Sequence, residues 1–163
     1  MKKNLKETIC VNFVGFWPNF MKDDNYFYNL LSTSYKVVID EDSPDIVFYS
    51  VDYTRQNEID KYLGTKAKIV YYTGENTLPD WDKVDLAFTF SYDDHGGKNY
   101  RLPLWVMYIN WFDRPYNGNR DQAYLHNPDL MFTQPKDVNK KQFCNFLYTN
   151  MKGRRMTIFP HLD

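Results

Sequence analysis

The segment Val70-Tyr71-Tyr72-Thr73-Gly74-Glu75-Asn76-Thr77-Leu78-Pro79 carries the sharpest chemical signal in the chain. An apolar run ends at a glycine, and a carboxylate and an amide follow at once. In open α/β sheets, ligands bind outside the carboxyl ends of the strands, where a rigid scaffold holds such residues. A glutamate placed there can act as a general base, because a neutral hydroxyl is a poor nucleophile and must shed its proton as it attacks. Taken without context, the same residues also describe a solvated loop carboxylate beside a turn glycine, and that is the commoner situation.

Other chemistries find less support. His95, His126 and His161 are scattered, none pairs with a cysteine, and no metal-ligand spacing exists. Asp93 and Asp94 are adjacent rather than spaced and read as a turn. Cys10 and Cys144 sit far apart among apolar neighbours, which favours buried free thiols over a disulfide. No glycine-rich phosphate loop of either common type is present.

The elements that must position Glu75 follow from pattern. Residues 8–16, 36–39, 46–51, 68–73 and 86–90 are short apolar runs rich in β-branched and aromatic residues, and they predict buried strands. Asp23 or Asp24 is expected to cap a helix running through Leu31, and residues 57–63 predict a short helix ended near Gly64. The polar run 40–45, with Pro44, must be a loop. Residues 113–140 read as irregular, with turns at Arg114-Pro115, Asn117-Gly118 and Asn127-Pro128. A last strand is predicted over 143–149. Strands alternating with helices of this length imply parallel βαβ units, and so an open α/β sheet covered by helices.

Composition bounds the partners. The 163 residues suffice for one compact domain. A formal net charge of −1 removes any overall basic field that would favour nucleic acid or an anionic membrane. The first residues read as neither a signal peptide nor a membrane span, since Asn4, Lys6 and Glu7 interrupt any apolar run. The aromatic share of 18% is high. It leans weakly toward flat partners such as sugar rings, on which Tyr and Trp stack, but an A/T-rich coding sequence inflates the same residues and is the commoner explanation of composition alone.

Five ordered segments carry a family resemblance. Phe16-Trp17-Pro18 with Asn25-Tyr26-Phe27 comes first, then Asp45-Ile46-Val47-Phe48, then Tyr72-Thr73-Gly74-Glu75-Asn76 with Pro79. Asp85 to Phe90 with Tyr100-Arg101-Leu102-Pro103-Leu104 follows, and Phe143 to Phe146, Thr149-Asn150 and Arg154-Arg155 close the series. Together they resemble the α-1,3/4-fucosyltransferases, glycosyltransferase family 10, and in particular the bacterial members.

The resemblance implies a two-lobed enzyme of the GT-B type with a Rossmann-like domain on each side of a cleft. This chain would be the N-terminal, acceptor-side lobe: residues 1–150 the lobe and 151–163 the start of the connection to a donor lobe. The implied reaction is inverting transfer of L-fucose from GDP-fucose to the 3-hydroxyl of GlcNAc in N-acetyllactosamine-type glycans, with no essential metal or cofactor. Glu75 matches the general base. Trp17, Asn76 and Arg101 match acceptor-side positions; Trp17 reads equally as a core residue, Asn76 equally as a tie for its turn, and for Arg101 holding the loop comes ahead of binding. Arg155, with Arg154 as its competitor, matches an arginine directed at the GDP phosphates, a task suited to a planar guanidinium.

Ser91 and Gly97 stand where members of the family usually carry acidic residues. Ile158, Phe159 and Leu162 read as the first turn of a helix with nothing after it, so the expectation is a chain cut before its donor half and inactive alone. A non-catalytic glycan-binding remnant is the alternative. The expected location is cytoplasmic or peripheral to a membrane, as in a bacterial or viral enzyme.

Overall fold

Strands buried on both faces should be nearly continuous apolar runs, and the sheet is built from such runs. In the computed structural model, which describes residues 7–51, 56–114 and 125–132, β1 (Thr8–Val14), β2 (Lys36–Ile39), β3 (Ile46–Tyr49), β4 (Lys68–Tyr72), β5 (Leu86–Thr89) and β6 (Asn99–Arg101) form one sheet. Its order is β2-β1-β3-β4-β5-β6 and every pairing is parallel. The carboxyl ends of all six strands therefore share one edge.

Alternate residues face opposite layers, as strand geometry requires. On β4, Val70 and Tyr72 enter a cluster with Val11, Phe13, Phe27, Phe48 and Leu102. Ile69 and Tyr71 enter the other, with Val14, Val47, Ile59, Tyr62 and Ala87. The first layer is covered by α1 (Tyr26–Ser32), whose Phe27 is buried and packs against Phe48, Tyr72 and Phe88. The second is covered by a 3-10 helix, Gln56–Tyr62.

Two expectations shift. The cap of α1 is Asn25, whose side chain accepts the Tyr28 N–H, and not Asp23 or Asp24. Asp24 is instead paired with Arg114. Cys10 is a free thiol but is only partly buried. The three-residue strand β6 and a second 3-10 helix, Leu104–Tyr108, went unpredicted because neither has a readable period. The strand expected at 143–149, Cys144, Arg154, Arg155 and the apolar residues Ile158, Phe159 and Leu162 lie outside the described residues.

The order reverses between β1 and β3, and the backbone is crowded there. Gly15 takes φ +64°, and a β-carbon on it would stand 2.8 Å from the Ser50 carbonyl oxygen. Only glycine fits this turn without strain. Its N–H donates to Glu58 Oε2 at 3.0 Å, which ties the end of β1 to the 3-10 layer.

Candidate active site

Glu75 is the third residue after β4 and is exposed at the shared carboxyl edge. Its side chain faces solvent while its backbone is held. The Glu75 N–H donates to Thr73 Oγ1 at 2.9 Å, and the Glu75 carbonyl accepts the Thr77 N–H at 2.8 Å. Thr73 is 1% exposed. Its hydroxyl also lies 3.2 Å from the Glu75 carbonyl and 3.3 Å from Thr77 Oγ1, which in turn meets the Tyr71 phenol at 3.1 Å. One hydroxyl-bearing residue on each side of the turn thus fixes a peptide whose carboxylate remains available. Asn76 is exposed next to it.

Gly74 has a packing role rather than a conformational one. A β-carbon there would meet Leu104 Cδ1 at 3.1 Å and the Tyr72 phenol oxygen at 3.6 Å. Leu104 opens the second 3-10 helix, so the segment leaving β6 rests on the glycine before the candidate base. Burial, with Tyr108 as a smaller influence, raises the Tyr72 phenol well above its ordinary pKa and keeps it neutral.

The segment 103–114 then works back along the edge as a strap. Val106 and Met107 pack into the α1-side core, and Phe112 meets the Tyr26 ring with centroids 5.8 Å apart. At its end Arg114 pairs with Asp24, the residue before the α1 cap. Trp105, Tyr108 and Trp111 of the strap are exposed. Trp17, just past β1, is 43% exposed and held against Phe16 and Phe20, so part of its indole is free for a flat partner. Neighbouring strands lie about 4.8 Å apart, which puts the ends of β1 and β4, separated by β3, within about 10 Å of one another.

Arg101 lies at the carboxyl end of β6 with its guanidinium over the Tyr92 ring, 4.2 Å from the centroid. Trp17, Glu75, Asn76 and Arg101 all come to one edge, while Arg154 and Arg155 fall outside the described residues. Asp93 and Asp94 do form a turn, their carboxylates accepting the His95 and Gly96 N–H groups. Among the described residues, no cluster of three or more His, Cys, Asp or Glu is placed to hold a metal, and no helix is long and apolar enough to cross a membrane. The motif alone did not single out Thr73 and Thr77 as clamps, although both lie within it. Leu104 and the Asp24–Arg114 pair left no local sequence signal.

The family model of the alpha-(1,3)-fucosyltransferase FucT N-terminal domain matches residues 11–108. No curated protein matches the chain. Among solved structures, a crystal structure of α1,3-fucosyltransferase with GDP is 26% identical, covering 66% of this chain and 30% of that one, with a TM-score of 0.48. A crystal structure of α1,3-fucosyltransferase with GDP-fucose is 22% identical, with coverage of 66% and 30% and a TM-score of 0.48. A third crystal structure of α1,3-fucosyltransferase, 22% identical over 66% of this chain and 31% of that one, superposes with a TM-score of 0.52 and supports the fold. The chain spans about 30% of the length of the structures it matches.

Proposed function

The chain belongs to the α-(1,3)-fucosyltransferase FucT N-terminal domain family, and from that premise we propose that it supplies the acceptor side and the general base of an inverting fucosyl transfer. The donor is GDP-fucose, and the acceptor hydroxyl is the 3-hydroxyl of GlcNAc in an N-acetyllactosamine-type glycan. The observation that carries this reading is Glu75: an exposed carboxylate at the carboxyl edge on a peptide held from both sides by Thr73 and Thr77. A carboxylate on a held peptide, at an edge that also carries exposed indoles, suits a sugar, whose apolar face stacks while its hydroxyl is deprotonated.

In this reading Glu75 takes the proton of the acceptor hydroxyl as its oxygen attacks fucose C1 in line, from the face opposite the departing GDP. The C1–O bond to the acceptor forms as the bond to the diphosphate breaks. Trp17 and Asn76 orient the acceptor. Arg101, stacked on Tyr92, holds the rim of the edge and is free to meet a polar group of the glycan. Neutralising the diphosphate falls to a donor-binding lobe together with Arg155 or Arg154. The chain alone is therefore expected to bind a glycan weakly and not to transfer fucose.

The test uses Glu75→Gln in an enzyme assembled from this chain and a donor-binding lobe. Turnover should fall about 10²- to 10⁴-fold, the usual range for a lost general base, with GDP-fucose affinity unchanged. Wild-type turnover in Glu75→Gln refutes the base role. For the chain alone, calorimetry should detect no GDP binding, and a micromolar dissociation constant would refute the division of labour. Glycan binding by the chain with no transfer from the assembled enzyme would point to a non-catalytic glycan-binding remnant.

A further inference from the structure

We propose that Arg114, acting through Asp24 and the strap 103–114, is a positioning residue for Glu75. The proposal rests on the reading of Glu75 as the base and adds how its loop is kept in place. The pair joins residues 90 apart in sequence, and its side chains are only 12% and 13% exposed. Asp24 precedes the α1 cap, so it moves with the helix that packs on β3, β4 and β5.

The Arg114 peptide is gripped by one side chain from both sides. Its N–H donates to Asn110 Oδ1 at 3.0 Å, and its carbonyl accepts from Asn110 Nδ2 at 3.1 Å. The Trp111 indole N–H donates to the Val106 carbonyl at 2.9 Å, and Asn110 and Tyr108 exchange backbone hydrogen bonds with His126. A segment braced in this way transmits displacement rather than absorbing it.

At the other end Leu104 seats on Gly74, next to Glu75, so closely that a β-carbon there would stand 3.1 Å from Leu104 Cδ1. The strap is thus fastened to α1 at Asp24 and bears on the candidate base at Gly74. Arg114 touches neither Glu75 nor any reacting atom. Its effect is to keep Leu104 on the glycine, so that the Glu75 peptide stays in its threonine clamp.

Hydrogen exchange of the Glu75 amide in the 163-residue chain, followed by NMR, tests the coupling. Arg114→Met should raise exchange at Glu75 by about tenfold or more, while the Phe48 and Val70 amides of the central strands change less than about twofold. Arg114→Lys, which keeps a charge opposite Asp24, should restore much of the protection. Leu104→Ala, a change at a side chain 36% exposed, should reproduce the effect with the ion pair intact and serves if Arg114→Met fails to fold. An unchanged Glu75 amide in both variants, or a rise of equal size in Phe48 and Val70, overturns the proposal. Exchange reads where the loop sits and not proton transfer, so a failure here leaves the Glu75→Gln turnover assay to decide the base role separately.

Discussion

Replacing Thr73 by Val removes one oxygen from the centre of the Glu75 turn and almost nothing else. The residue is 1% exposed, so the γ-methyl that takes the place of the hydroxyl stays in a filled site. Lost with it are the acceptor for the Glu75 N–H at 2.9 Å and the contacts with the Glu75 carbonyl and Thr77 Oγ1. One hydrogen bond is worth about 1 kcal/mol net, and a donor left without a partner costs up to about 3 kcal/mol where water cannot reach it; the Glu75 N–H is part-buried. These two figures describe the same event and do not add, so the expected destabilisation is about 1–3 kcal/mol. Thr73→Ser keeps the hydroxyl and loses one buried methyl, at about 0.8 kcal/mol plus a small cavity term.

The order of the two variants is the decisive quantity. Urea unfolding should place the midpoint of Thr73→Val below that of Thr73→Ser, with equal slopes, since neither changes the surface exposed on unfolding. The Glu75 amide should lose protection in Thr73→Val and keep it in Thr73→Ser. If Ser is the more damaging replacement, Thr73 matters through its methyl packing and the clamp on Glu75 is not held by the hydroxyl.

Other perturbations reach the scaffold around the site. Gly15→Ala must hold a β-carbon at positive φ, about 1–2 kcal/mol in itself, and within 2.8 Å of the Ser50 carbonyl oxygen. A fall of more than about 2 kcal/mol in unfolding free energy is expected, and a change within about 0.5 kcal/mol would contradict the crowding at the β1–β3 reversal. Burial first, then Tyr71 and Asp80, pushes the Tyr49 phenol from 10.0 to about 12. The fold favours the neutral form, so this contribution is intact below about pH 10 and is lost as pH rises from there toward 12. Melting temperature should drop across that window, less steeply in Tyr49→Phe, and identical profiles for the two proteins would remove Tyr49 as a cause.

Much of the scaffold was legible because its signals are local. Strand β2 over Lys36–Ile39 has the predicted bounds, and β4 and β5 each end one residue earlier than expected. Buried parallel strands are apolar on both faces, so runs such as Ile69 to Tyr72 need no partner to be recognised. The cap of α1 was misread because Asp23, Asp24 and Asn25 are all good caps. Tertiary context decided among them: Asp24 is drawn to Arg114, which no window around residue 24 contains.

The candidate site divides along the same line. Glu75, Asn76, Trp17 and Arg101 were visible as residue types next to strand ends, and a parallel sheet necessarily gathers strand ends on one edge. What holds Glu75 still was less visible. Thr73 and Thr77 lie within the motif, but their role depends on a turn geometry that residue types do not specify. Leu104 and Arg114 belong to a segment with neither helical nor strand period, and their partners Gly74 and Asp24 are 30 and 90 positions away. A base at a strand end needs a fixed peptide, and a short turn at the rim of a sheet cannot fix itself. The strap meets that need from outside the motif, by resting on a glycine with no side chain to keep it away.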